Sequence, residues 1–318
     1  MRILLWHVHG AWTTSFVRGG HTYLIPALPG RGPDGRGRAL TYDWPANAVE
    51  VTPARAAAAE VDAVVLQRPE ELHGLAERWL GGRRPGRDVP AVYVEHDAPQ
   101  GRVGELRHVA AGRRDLTVVH VTHFNDLLWD TGGTPTTVIE HGVVDPGERY
   151  GGELPRVAAV INEARRRGRV TGTDLLPRFG AAAPVDLFGI DSEGAGDGRL
   201  VTGAGDLPQA RLHAEMARRR AYLHPVRHTS LGLSLLEAMH LGMPVVALAT
   251  TEVAEAVPRE AGAVSTSVDT LVDAVRGLVA EPERARLAGK RARAAALARY
   301  GLDRFLRDWD RLLAEVGR

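Results

Sequence analysis

Short apolar runs rich in β-branched residues punctuate the first half of the chain: RILLWHV at 2–8, AVVLQ at 63–67, AVYVE at 91–95, TVVHV at 117–121 and TTVIE at 136–140. Each is followed by a polar or glycine-containing turn, which marks it as a strand. Because these runs are apolar on both faces, they predict a parallel sheet covered by helices on both sides. Helical patterns at 54–60 (ARAAAAE) and 71–80 (ELHGLAERWL) fall between them, giving the alternation of a doubly wound domain. A second alternating series follows, with strand-like runs at 156–161, 185–190, 221–225, 244–248 and 261–265. Helical segments at 172–180, 207–219, 232–241 and 267–279 separate these runs, and only helices come after them.

The pattern therefore predicts an α/β chain of two Rossmann-like, doubly wound parallel-sheet domains. The first spans 1–142; a stretch rich in Gly and Pro around 143–155 reads as a linker; the second domain spans 156–300. A length of 318 residues agrees, since single cores stop growing near this size. In the terminal segment 301–318, Leu302, Phe305, Leu306, Trp309, Leu312 and Leu313 recur at helical spacing, so it predicts an amphipathic helix. The segment 29–39, PGRGPDGRGRA, predicts a loop after a first helix.

Composition narrows the function classes. Hydrophobic residues make up 44% and charged residues 25%, with a formal net charge of +1. This is an ordinary globular balance and excludes both a disordered chain and a surface built for nucleic-acid backbones. With no cysteine, disulfides and thiolate metal sites are excluded. MRILLWHVHG lacks a cleavage-site pattern, and no segment reaches 18 apolar residues, which predicts a cytoplasmic protein. A peripheral membrane contact through a basic amphipathic surface needs no such signal and stays open. Lys290 is the single lysine among 40 basic residues, so any site that needs a lysine has one candidate.

The stretch HTSLGLSLLEAMHLGMPVVAL, 228–248, carries a carboxylate, Glu237, inside an otherwise apolar helix-then-strand pattern. Ser230 is a candidate cap, Leu233, Leu236 and Leu241 recur at helical spacing, and Gly242 with Pro244 ends the helix. Glu237 lies near the apolar stripe, so it is either a solvated flank residue or a carboxylate turned to accept two ligand hydroxyls.

TSLGLSLLEAMHLGMPVVA closely resembles the signature segment of retaining family-four glycosyltransferases with the GT-B fold, in which two glutamates flank seven residues before "AM", "G" and "PVVA". The second glutamate falls on Glu237 and the first on Thr229, a departure from the pattern. The resemblance implies two domains facing across a cleft with the C-terminal helix crossing back. It also implies that Glu237 holds the ribose hydroxyls of a nucleotide-sugar, and that Gly232, Leu233 and Ser234 offer backbone groups to its diphosphate. N–H groups at a helix start, aided by its dipole, suit an anion. Thr229 would then stand neutral at the donor sugar.

The family also brings an arginine and a lysine to the diphosphate. The matching region is INEARRRGRVTGTDLL, 161–176, where Thr171 takes the lysine's place and Arg165, Arg166, Arg167 or Arg169 would carry the charge; Arg227 is a further candidate. Gly19 and Gly20, expected before a helix, resemble the family's glycine-rich acceptor-side loop. His96, in VYVEHDAP, resembles the strand-end histidine that contacts the transferred sugar, with Glu95 and Asp97 beside it to orient the ring or bind the acceptor. EHGVVDPG resembles the segment that closes the first domain, where His141 and Gly142 would shape the hinge. His7, His9 and His123 are expected as cleft-wall or capping residues without metal spacing, and Asp308-Trp309-Asp310 as helix surface, since residues two apart do not share a helix face.

What the resemblance implies for function is transfer of a sugar from a UDP- or GDP-sugar to an acceptor, with retention of configuration and with neither metal nor cofactor. Two other classes stay open: another GT-B enzyme, such as a sugar-nucleotide epimerase or phosphorylase, and a non-catalytic sugar-nucleotide or glycan-binding protein. Thr229 and Thr171, neutral where charge is expected, keep the last in view.

Overall fold

Two parallel sheets organise the computed structural model, which describes residues 1–317. The chain divides into unit 1, Met1–Val144 with the residues from Leu302 onward, and unit 2, Asp145–Gly301.

In unit 1 the elements run β1 (Arg2–Leu5), α1 (Gly10–Phe16), β2 (Thr22–Pro26), β3 (Ala48–Val51), α2 (Pro53–Ala58), β4 (Ala63–Leu66), α3 (Ala76–Trp79), β5 (Ala91–Glu95), β6 (Thr117–His120), α4 (His123–Leu128) and β7 (Thr136–Val138). The sheet order is β3-β2-β1-β4-β5-β6-β7, so the winding reverses between β1 and β4. The central strands are apolar on both faces because both are covered: β4 and β5 are buried at every position.

Unit 2 begins with residues 145–153, whose Arg149 and Tyr150 N–H groups donate to the Leu241 carbonyl at 3.1 and 3.0 Å. It continues β8 (Leu154–Val160), α5 (Gly168–Thr171), α6 (Leu176–Gly180), β9 (Val185–Phe188), β10 (Val201–Gly205), α7 (Gln209–Ala217), β11 (Arg219–His224), α8 (Leu233–Leu241), β12 (Val245–Leu248), α9 (Val253–Ala256), β13 (Gly262–Ser265), α10 (Val268–Ala280) and α11 (Pro282–Tyr300). Its order, β10-β9-β8-β11-β12-β13, reverses between β8 and β11. Gly242, at φ +86°, ends α8 in the left-handed conformation that glycine adopts without cost.

The last helix, α12 (Leu302–Val316), belongs to unit 1. Its buried face is Phe305, Trp309, Leu312 and Leu313. Trp309 meets Phe16 and Trp12 edge-on at ring-centroid distances of 5.0 and 5.7 Å, geometries that aromatic quadrupoles favour. Gly142 lies against the Phe305 ring with no room for a Cβ, so the end of unit 1's main chain segment is fitted to this helix.

The structure corrects the sequence expectations at three strands. Gly19 and Gly20 lead into β2, not a helix; the helix is α1, before them. TYLIP is a strand because pairing with β1, Ile3 opposite Tyr23 and Leu4 opposite Leu24, buries its aromatic and aliphatic residues. The edge strands β3 and β10 also escaped notice. They are buried only at their ends, so neither needs an apolar run.

Candidate functional site

In open α/β sheets, ligands bind beyond the carboxyl ends of strands where the winding reverses. In unit 2 that place is formed by the segments after β8 and β11. Gly172, at φ +74°, lies so close to the Pro225 carbonyl oxygen that a Cβ could not be accommodated. The Arg227 N–H donates to the Val170 carbonyl at 2.8 Å. These contacts fix the two segments against one another and thereby set the position of residues 225–232, which lead into α8.

Gly232 precedes α8 as its N-cap residue, extended at φ −70° and ψ 120°, with no side-chain cap. Ser230 is thus not the cap expected from sequence: it is buried two residues upstream. The Tyr222 hydroxyl donates to Ser234 Oγ at 2.9 Å, tying the first turn of α8 to β11. The first N–H groups of a helix have no intrahelical acceptor, the usual basis of an anion site; here the bonding begins with Leu235, whose N–H donates to the Gly232 carbonyl at 3.1 Å. Thr229 and Leu233 flank the same turn, each partly exposed.

Glu237, one turn further on, is 8% exposed. Its carboxylate is held by α7: Gln209 Nε2 donates to Oε1 at 3.0 Å, and His213 Nε2 stands 3.5 Å from Oε2. Sequence inspection did not single out Gln209 or His213; the only signal was a polar pair within the amphipathic stretch 207–219. An ionised carboxylate has about four lone-pair sites, so with Gln209 as its hydrogen-bond donor Glu237 keeps capacity for at least two more.

The basic residues are distributed unequally. Arg227 is bidentate on Asp174, at 2.6 and 2.9 Å, and also donates to the Arg169 carbonyl. Arg166 pairs with Glu163, Arg169 stands 3.7 Å from Asp174, and Arg165 donates to the carbonyls of Glu193 and Gly194. Arg167 precedes α5, and the buried Thr171 hydroxyl turns back onto the Arg167 carbonyl at 3.2 Å. The pairing holds the Asp174 carboxyl below its ordinary range, chiefly through the Arg227 hydrogen bonds. Arg165 and Arg166 line a cavity of about 590 Å³ together with Glu163, Ile190, Asp191, Glu193 and Asp206. Asp206 belongs to the loop that leads from β10 into α7, three residues before Gln209.

Unit 1 builds a different constellation at its own reversal point. His9 follows β1, Gln67 follows β4, His96 follows β5 and His141 lies beyond β7. His96 is buried, and its Nε2 is 3.0 Å from Gln67 Oε1, whose amide in turn donates to the Trp6 carbonyl at 2.8 Å. The His9 and His96 rings lie 4.1 Å apart, and Trp12 meets His96 edge-on at 5.0 Å. Burial pushes His96 well below the usual imidazole range and His141 down to about 3, so both rings are neutral. Glu95 accepts from the buried His108 at 2.9 Å and from the Asp97 N–H at 2.7 Å, so its carboxylate is occupied within the unit. His7 bonds the Gly37 carbonyl, and His123 opens α4. Gly19 packs against the Tyr23 hydroxyl, while Gly20 borders open space, where a Cβ would meet nothing. Asp308 pairs with Arg304 and Asp310 with His21, the two pointing to different partners as expected of helix surface. Among the described residues no group of three or more His, Asp or Glu is placed to hold a metal ion, and no helix is long and apolar enough to cross a membrane.

Comparison with known proteins places these constellations on a known scaffold. Residues 192–295, within unit 2, match the family model of Glycosyl transferases group 1. Sucrose-phosphate synthase from Thermosynechococcus elongatus is similar over 99% of both chains, with a TM-score of 0.75 at 13% identity. The fold is GT-B. Anabaena HepE, solved in complex with UDP, aligns over 99% of this chain and 100% of its own, with a TM-score of 0.72 and 16% identity. A glycosyltransferase from Rickettsia africae aligns over 99% and 98%, with a TM-score of 0.70 and 13% identity. A search of curated proteins by sequence finds no match. The matched stretch of this GT-B chain contains β11, α8 and Glu237, together with Gln209 and His213.

Proposed function

We propose that the protein is a glycosyltransferase that takes its sugar from a nucleoside-diphosphate donor bound by unit 2. One observation carries the proposal: a buried carboxylate, Glu237, set one turn behind an uncapped helix start, with Gln209 as its protein donor and room for two ligand hydroxyls. A ribose presents two adjacent hydroxyls and a diphosphate presents dispersed negative charge, so one ligand satisfies both features. The match of residues 192–295 to Glycosyl transferases group 1 supports the same assignment.

In this reading Gly232, Leu233 and Ser234 meet the diphosphate through backbone N–H groups. Arg227 and the arginines at 165–169 supply charge once a phosphate competes with their present carboxylate and carbonyl partners. Thr229 lies toward the donor sugar, with Thr171 held behind the arginine segment. The acceptor is assigned to unit 1, with neutral His96 as a hydrogen-bonding contact for the transferred sugar and Gly19 and Gly20 on the acceptor side. Transfer proceeds with retention: the C–O bond to the leaving phosphate breaks through an oxocarbenium-like state, the acceptor oxygen bonds the anomeric carbon on the same face, and the departing phosphate takes the acceptor's proton. Developing charge on that phosphate is met by fixed donors and arginines, so no divalent ion is required.

UDP and UDP-glucose are bound in the HepE structures, which makes UDP-sugars the first donors to try, followed by GDP-sugars. The test is to incubate the protein with UDP-, GDP-, ADP- and dTDP-sugars and follow release of the nucleoside diphosphate, with and without EDTA. The proposal expects slow hydrolysis of one donor, unaffected by EDTA, and retained configuration in the sugar first released. Binding of a donor with no turnover of any would establish a sugar-nucleotide-binding protein instead, the reading that Thr229 and Thr171 favour.

A further inference from the structure

His224 ends β11, is 2% exposed, and has no hydrogen-bond partner at either ring nitrogen. Burial brings its pKa down to about 4, so the ring is neutral, with one N–H donor and one acceptor. Buried polar groups left unmatched are uncommon in folded chains, and each calls for a partner outside the polypeptide or a functional cause. A leucine or phenylalanine would fill this space without that cost.

The ring's surroundings indicate where the partner is. Gly232, the N-cap residue of α8, lies directly on it: a Cβ there would stand 2.6 Å from Cε1, 3.3 Å from Nε2 and 3.6 Å from Nδ1. Tyr222, on the same face of β11 two residues earlier, lies near-parallel to His224, with ring centroids 6.2 Å apart. The two rings form the floor beneath the first turn of α8. Tyr222 has committed its hydroxyl to Ser234, whereas His224 has committed nothing. An uncapped start of a nine-residue helix thus has a buried, uncommitted imidazole under its N-cap residue.

The geometry points to His224 as a binding residue for the anion at the start of α8, its ring N–H donating to a phosphate oxygen of the nucleoside diphosphate from beneath Gly232. The inference rests on the donor-site reading and adds to it a side-chain donor that is neither an arginine nor a lysine. It also accounts for glycine at 232: any side chain there would displace the ring or stand between it and the ligand. A neutral donor fixed in place by its neighbours attracts the phosphate without a counter-ion to be displaced, unlike Arg227, which must first leave Asp174.

The test uses the full chain and calorimetric titration with UDP, GDP and ADP, followed by titration with the nucleoside of whichever binds best. His224→Phe is expected to weaken the nucleoside diphosphate about tenfold, as loss of a hydrogen bond to a charged group does, while leaving the nucleoside unchanged. His224→Gln, which keeps an N–H, is expected to recover most of the loss. Equal affinity of His224→Phe and wild type for the diphosphate overturns the inference. So does an equal loss for diphosphate and nucleoside, which would mark a purely structural ring. A wild-type chain that binds no nucleoside diphosphate overturns the donor site itself, and the inference with it. One measurement needs no folded phenylalanine variant. With 15N-labelled histidine, saturating diphosphate shifts the His224 ring resonances, assigned by their loss in His224→Gln; unshifted resonances contradict the inference.

Discussion

The two units share a winding but arm its reversal point in opposite ways. In unit 1 the segments after β1, β4, β5 and β7 carry rings and an amide: His9, His96 and His141 with Trp12, joined by Gln67, and burial holds His96 and His141 uncharged. In unit 2 the segments after β8 and β11 carry full charges, with Arg227 paired to Asp174 and Arg166 to Glu163, and α8 adds Glu237, which accepts from Gln209. A site of neutral donors and apolar walls suits sugar hydroxyls, which bring no charge to balance. A site of pre-paired charges suits a polyanion that arrives with charge of its own and takes over the pairing. The same topology thus supports two chemistries, set by the residues of the segments that follow the strands.

The comparison can be broken at several points. The largest effect is expected from His96→Ala, which should lower turnover of the preferred donor by about a hundredfold, while diphosphate affinity moves by less than about threefold because the substitution lies in unit 1. Parallel loss of both would erase the division of labour.

Next is Gly172→Ala, which drives a Cβ into the Pro225 carbonyl at a left-handed φ and should destabilise unit 2 by about 2–3 kcal/mol. Every tryptophan, at positions 6, 12, 44, 79, 129 and 309, lies in unit 1. Denaturant unfolding followed by circular dichroism should therefore shift to lower concentration, while the tryptophan fluorescence transition stays in place.

A smaller change is expected at Asp174→Ala. Freeing Arg227 should raise diphosphate affinity by about threefold, since partly exposed pairs are worth about 1 kcal/mol or less. Unchanged or weaker binding would remove Arg227 from the site.

A last prediction concerns pH. His120 is fully buried in unit 1, and burial lowers it to about 4. Below the ordinary value near 6.5, the unfolded chain takes up a proton that the folded ring refuses, so this residue costs stability as pH falls from 6.5 toward 4. His120→Phe should flatten the decline of stability between pH 6.5 and 5 by up to about 1.4 kcal/mol per pH unit.

The fold was legible wherever a strand is buried on both faces, because β4 and β12 are wholly apolar and β5, β6, β8, β9 and β11 each contain a run of two or more apolar residues. The edge strands β3 and β10 were not, since an edge needs little apolar surface, and VTGAG reads as a turn until its pairing with β9 is seen. β2 was obscured by Gly19 and Gly20, which punctuate equally well before a helix or a strand. Within the candidate site, the segment 229–237 was legible because helix, glycine and carboxylate are contiguous. Gln209 and His213 were not, because their meaning comes from α7 packing beside α8, a contact 28 residues removed in sequence for Gln209. Ser230 misled for a related reason: the chain stays extended through Gly232, so the helix begins too late for its hydroxyl to cap it.

The most direct test of the account is calorimetric titration of wild type and Glu237→Ala with the nucleoside diphosphate that binds best. Removing the carboxylate should weaken binding at least about tenfold, with the thermal transition of the variant showing it to be folded. An affinity unchanged from wild type would contradict the assignment of Glu237, and with it the donor site of unit 2.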